Sequence, residues 1–275
     1  MFEYIRQSFA RKKARRVFQK YAHAIESFTL ADEGVVQFAN WQNPLIAPKV
    51  ITQAEVNFFR RLAPHGSFCV DIGTNIGDTT VPMALAVGRQ GLTLGFDPNP
   101  VVYEILEVNA RLNPEKTNIV AVPYAVMEDE TEFVYASSEA SLGNGGLSVG
   151  ETNPHGKYQL AHKVKGVNLE RYLGEHYAGW LPKLALIKVD IEGFDKDVLR
   201  SISALIDQRK PNLIAECFSQ STPDERQQLY HVVADHGYDL YYFADFDENA
   251  DVVNLSASDM NRWSNFNFYA VPRSR

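Results

Sequence analysis

Residues 67–87 read SFCVDIGTNIGDTTVPMALAV. An apolar run ends on Asp71, a bare turn holding Gly73 and Gly77 follows, and an apolar helix pattern starts directly after it. A buried strand that passes through a glycine turn into a helix is the first half of a strand–helix–strand unit. Such a unit demands a second strand parallel to the first, reached by a right-handed crossover. The chain supplies it. Leu92–Asp97 reads as a strand, and Pro100–Leu112 as a helix capped by Asn99 with proline at its first position. Asn118–Val122 continues the pattern, and so do strand Leu184–Asp190, helix Lys196–Asp207, strand Asn212–Cys217 and helix Pro223–His236. Strands near Tyr238–Phe243 and Asn265–Val271 close it as a wide hairpin. The expected fold is α/β: a doubly wound, mostly parallel seven-stranded sheet of Rossmann-like type whose final strand is antiparallel.

Two segments stand outside this alternation. Residues 1–66 read as an N-terminal helical extension. In it a basic amphipathic helix over 2–28 carries Ala10, Ala14, Val17, Phe18, Tyr21, Ile25 and Phe28 at spacings of three and four, and a second helix is capped by Thr52. Residues 67–275 form the α/β domain, with an extra strand at Thr131–Ala136 and an inserted loop over about 137–162. Loops of that length in a compact domain are commonly functional lids.

The net charge of −7 is unevenly spread: the first twenty residues carry +6, which leaves −13 for the rest. An acidic body argues against nucleic acid as a partner, since phosphate binding needs a broad basic face. For the basic tip two readings stay open: peripheral contact with a membrane surface or an anionic glycolipid, and packing on the body or on a second copy in a homodimer. Cys69 and Cys217 sit singly in apolar runs, without metal or disulfide spacing, and point to a reducing compartment. No apolar run reaches the roughly 18 residues of a membrane span. The expected location is cytoplasmic, with membrane association left to the basic helix.

Parallel sheets bind ligands beyond the carboxyl ends of their strands. At the first such end stand Asp71, Gly73, Thr74, Asn75 and Gly77. This is not the three-glycine dinucleotide fingerprint, and an acid two residues before the first glycine would repel a pyrophosphate. It would attract a sulfonium or an α-ammonium. Asp97 ends the second strand, followed by Pro98 and Asn99, and its two carboxylate oxygens match the two hydroxyls of a ribose. Asp71 and Asp97 together favour S-adenosylmethionine. Lys188, Asp190 and Glu192 share one face if their strand runs that far, and Glu216 ends its neighbour. Lys188 is expected to pair with these acids.

The chain resembles the FkbM-type S-adenosylmethionine-dependent methyltransferases over roughly residues 67–271. The resemblance rests on VDIGTNIGDTT, FDPNP, GGLS, IKVDIEGFDKDVL, PNLIAE and the closing FYAVP, with KVDIEG the most specific block. It implies methyl transfer to a hydroxyl of a sugar, a glycolipid or a glycosylated natural product. Asp71, Gly73, Thr74, Asn75 and Gly77 would then surround the methionine portion, and Asp97, Pro98 and Asn99 the ribose. Ala125 and Val126 would border the adenine, and Asp190 and Glu192 would lie where donor and acceptor meet. An alcohol needs a base or a metal to become a good nucleophile. Asp190 and Glu192 are the first choices for the base, Glu216 joins them as a catalytic candidate, and His155 and His162 are loop alternatives. Asp190 with Glu216 leaves a Mg²⁺ site open. Gly146, Ser148 and His155 are the candidate acceptor contacts. The competing functions are a nicotinamide-dependent oxidoreductase and a non-catalytic binding protein on the same fold.

Overall fold

Every residue of Phe68–Ile72 is buried, and the alternation of its side chains sets up the layers. Phe68, Val70 and Ile72 pack into a core with Leu169, Leu199, Ile206 and Leu229 on one face of the sheet. Cys69 packs on the other face with Phe59, Met83, Leu85 and Ile105. The computed structural model describes residues 2–128, 130–143, 145–148, 156–191 and 193–273.

The main sheet has eight strands: β1 (Phe68–Ile72), β2 (Leu92–Phe96), β3 (Ile119–Val122), β4 (Leu184–Val189), β5 (Asn212–Cys217), β6 (Tyr238–Phe243), β7 (Val252–Leu255) and β8 (Phe266–Pro272). Their spatial order is β7-β6-β8-β5-β4-β1-β2-β3. β8 runs antiparallel to both neighbours, and β3, β2, β1, β4 and β5 pair in parallel. All seven expected strands are present. β7 is an addition on the outer edge, paired antiparallel with β6. Strand order reverses between β1 and β4, which places a ligand cleft at their carboxyl ends. The two cysteines are buried and free. Among the described residues no helix is long and apolar enough to cross a membrane.

The N-terminal extension is not wholly helical. Its first helix stops at Arg16, and His23–Leu30 pairs antiparallel with Gly34–Trp41. Within 23–30 a period of two wins over the helical one: Phe28 and Leu30 turn inward and Ile25 is half exposed. The turn is closed by Gly34 at φ +67°, and the partner strand brings the fully buried Val36 and Phe38. The Asn109 side chain accepts from Ala39 N (2.6 Å) and donates to the carbonyls of Ala39 and Ile76. It thereby ties the hairpin, the helix Pro100–Arg111 and the glycine turn together. The helix Gln53–Leu62 forms as expected, with Thr52 Oγ1 accepting from Glu55 N.

The inserted region is also more ordered than a loop. Glu132–Ser137 pairs with Gly146–Ser148, Tyr158–Gln159 and Val164–Val167, and the last of these pairs with Ala125–Val126. This small sheet stands at the mouth of the cleft.

Candidate active site

The carboxyl ends of β1, β2 and β4 enclose a cavity of about 210 Å³. Gly73 N and Thr74 N both donate to Phe96 O, which fastens the turn to the end of β2. Gly73 has φ +78°, and a Cβ there would lie 1.9 Å from the carbonyl oxygen of Asp190. Only a glycine lets the β1 turn and the β4 turn come this close. Asn75 N and Asn99 N donate to the two oxygens of Asp97, at 2.8 and 2.9 Å. Each carboxylate oxygen has two lone-pair directions, so one on each remains for a ligand hydroxyl.

Gly73, Thr74, Asn75, Asp97, Pro98, Asn99, Ala125, Val126, Gly146 and Asp190 all line this cavity. Gly143, Gly145 and Leu147 of the insertion also border it, and Gly143 O accepts from Asn75 Nδ2 at 3.4 Å. Asn99 Nδ2 donates to Leu142 O at 2.6 Å. The insertion is thus held to both cofactor-side turns by asparagine side chains.

Two expected contacts stand behind the cavity instead. Asp71 is fully buried on the Cys69 face of β1 and is not among the residues that line the cavity. Its Oδ2 accepts from Thr79 Oγ1 and Thr80 Oγ1 at 2.9 and 2.7 Å, and its Oδ1 meets Lys188 Nζ at 3.2 Å. It anchors the start of the helix Thr80–Val87, where a negative charge is favoured. Gly77 serves packing: a Cβ there would meet Leu106 Cδ1 at 3.1 Å. Glu216 also lies off the cavity lining, with Oε1 accepting from Asn265 at 2.8 Å. Asp190 lines the cavity and Glu216 does not. Among the described residues no group of three His, Cys, Asp or Glu has metal-binding geometry, so the Mg²⁺ expectation gains no support. Glu192 and His155 lie outside the described residues, as does the side chain of Ser148, whose backbone pairs with Val134.

Lys188 is the cation of the site. It is almost wholly buried and shared between Asp71 (3.2 Å) and Asp190 (3.3 Å); Asp190 is one of the acids the sequence pattern offered it, and Asp71 is not. Burial alone would depress its ammonium, but the two carboxylates outweigh it and hold the group protonated. Among the described residues three acids, Asp78, Asp97 and Asp190, line the cavity against this one committed cation. Burial pushes Asp97 up to about 7, against the pull of its two backbone N–H donors. Burial likewise raises Asp78, opposed by Lys49.

Asp78, Thr79, Lys188, Tyr124, Tyr135 and Phe194 also line the cavity. Sequence reasoning did not place them there. For Asp78 the signal was available, since it directly follows Gly77 in the turn that leads into the helix Thr80–Val87. Thr74 Oγ1 and Asp78 Oδ1 are buried without a protein hydrogen-bond partner, and polar atoms of that kind facing a cavity are the ones a ligand satisfies. An acid-rich cleft with free acceptors and a glycine-tight turn fits a cationic, ribose-bearing group.

A Gly73→Ala substitution tests the close approach, with Gly66→Ala as its control. Gly66 also has positive φ (+82°), but a Cβ there meets nothing within 4 Å. Gly66→Ala is expected to cost about 1–2 kcal/mol from backbone strain alone. Gly73→Ala is expected to cost at least twice that in urea unfolding, because the Asp190 backbone must also move. Equal losses at the two positions would show that the contact is not tight.

An α/β sheet of this order, with an acid-lined cleft at its reversal point, is a doubly wound fold whose ligand site lies at the carboxyl ends of its strands. The chain belongs to the FkbM methyltransferase family: the family's Methyltransferase FkbM domain matches residues 71–243. Methyltransferase sdnD of Sordaria araneosa is 26% identical over 198 residues, 64% of this chain and 75% of that protein. Methyltransferase 1 of Beauveria bassiana is 29% identical over 153 residues, half of this chain and 59% of its relative's length. A solved FkbM methyltransferase from Methylobacillus flagellatus KT aligns with a TM-score of 0.47 at 13% identity, covering 78% of this chain and 50% of that one. Family membership decides for a methyltransferase over an oxidoreductase.

Proposed function

We propose that the chain is an S-adenosylmethionine-dependent O-methyltransferase acting on a hydroxyl of a sugar, a glycolipid or a glycosylated natural product. The observation that carries this reading is the cavity itself, where three carboxylates face one lysine already shared by two acids. A sulfonium donor is attracted there and a pyrophosphate is not. When bound, S-adenosylmethionine supplies an electrophilic methyl group.

The chain's residues supply the rest. Asp97 offers its two free acceptor directions to the ribose hydroxyls, and Tyr124, Ala125 and Val126 provide the apolar wall for the base. Thr74 and Asp78 carry the unsatisfied polar atoms nearby. Asp190 is about one-third exposed at the cavity and accepts the acceptor hydroxyl's proton. Lys188 steadies the carboxylate that does so. Gly143 and Gly145–Leu147 border the mouth on the acceptor side, where they limit access of water.

Calorimetric titration with S-adenosylhomocysteine at several pH values tests the assignment. A carboxyl at about 7 is protonated below that pH, which turns one of its oxygens into a donor. Affinity should therefore rise as pH increases through 7 and then level off. Asp97→Asn should lower affinity by about 10–100-fold, the worth of hydrogen bonds to a charged group, and flatten the rise. Binding of NAD(H) with none of the adenosyl compound would overturn the proposal. Incubation of S-adenosylmethionine with a sugar panel, followed by mass spectrometry, then identifies the acceptor class.

A further inference from the structure

The N-terminal helix keeps an apolar and basic face without a partner on the body. Of its residues, Ala14 is fully buried and sets the inner face, whereas Phe9 is 69% exposed and Ile5 44%. At 100° per residue Ile5, Phe9, Lys12 and Arg16 lie opposite Ala14 on one stripe. Val17 and Phe18 follow, also more than half exposed. Such residues usually find cover, and here they are interleaved with Arg11, Lys12, Lys13 and Arg16.

The stripe leads into a second cavity, a groove of about 640 Å³ that is distinct from the acid-lined cleft. Its apolar wall includes Phe18, Pro100, Tyr103, Leu142 and Leu160, and Lys20, His162, Lys163 and Lys165 stand around it. Its acid, Glu104, is already paired with Lys20. Helix and groove thus form one surface with apolar content at the centre and net positive charge around it, on a chain whose residues 21–275 carry −13.

We propose that this surface docks on an anionic lipid bilayer, with the cations among the headgroups, Phe9 and Phe18 in the interface and the groove open to an acyl chain. Charge complementarity singles out this occupant. A symmetric contact with a second copy would set the six cations of one helix against the same six. The helix end is also fixed to the insertion beside the cleft: Ala140 N donates to Arg15 O (3.1 Å) and Tyr158 Oη to Arg16 O (3.3 Å). Docking therefore brings the mouth of the cleft close to the membrane plane.

The test is sedimentation of the full chain with vesicles of phosphatidylcholine alone or with roughly one-third phosphatidylglycerol. Binding is expected only to the anionic vesicles and should fall as salt is raised. Lys12→Ala, Lys13→Ala and Arg16→Ala together should weaken it by about 100-fold, at about fivefold per cation. Phe9→Ser with Phe18→Ser should weaken it at every salt concentration. These side chains are exposed, so unchanged thermal midpoints will show that the variants fold. Equal binding to neutral vesicles, no binding to either, or a solution dimer lost on Phe9→Ser would each overturn the proposal.

Discussion

Lys188→Met is expected to lose about 3–5 kcal/mol of stability, the cost of leaving a buried charge without its partner. Lys188 is 2% exposed at its side chain and Asp71 not at all, so water cannot replace the lost ammonium. The parallel pairing of β4 with β1 sets these two residues directly opposite each other in mid-sheet. Asp190 is one-third exposed, and its share of the loss is smaller because solvent screens it. The measurement is urea unfolding of the wild type, Lys188→Met, Asp71→Asn and the double variant. The double variant should recover part of the loss, since the charges go together, whereas simple additivity would show that the pair is not coupled. A loss below about 1 kcal/mol would mean that the ammonium is not the counter-ion of Asp71.

The same pair shows where sequence reading reaches its limit. That β1 and β4 exist follows from local apolar runs and the glycine turn, and alternation puts Lys188 and Asp190 on one face. The register that sets Lys188 against Asp71 joins segments more than a hundred residues apart, and no local period encodes it. Asp71 was therefore readable as important, but its partners were not: it holds the helix start and the lysine. The hairpin at 23–41 was missed because its apolar residues also satisfy helical spacing. What decides for strands is Asn109 and Asn113 meeting its backbone from another element. In the insertion the strand near 131–136 was legible, but its partners were not, since they are two to four residues long and depend on cross-strand pairing. The lining by Asp97 and Asp190, in contrast, follows directly from strand ends, and that by Asn99 and Ala125 from the family resemblance. Those positions are local in sequence once the sheet is known.

Asp190→Asn is expected to lower the turnover of methyl transfer by about 10²–10⁴, the range for loss of a general base. The asparagine keeps the size of the side chain, and Lys188 keeps its ion pair with Asp71. Affinity for S-adenosylhomocysteine should therefore stay within a few-fold of wild type, and the thermal midpoint should shift only slightly. A merely structural role would move those two readouts together with the rate. The sharper test compares acceptors. A sugar hydroxyl holds its proton tightly and depends on the base, whereas a phenol releases its proton near pH 10 and depends on it less. The loss in Asp190→Asn should accordingly be many-fold larger for the sugar than for a phenol bound in the same cleft. Equal losses for both would assign Asp190 to positioning of the β4 turn, whose carbonyl already touches Gly73, and would move the search for the base to Asp78. That residue lines the same cavity, has a buried oxygen without a protein partner, and is held toward its neutral form by burial.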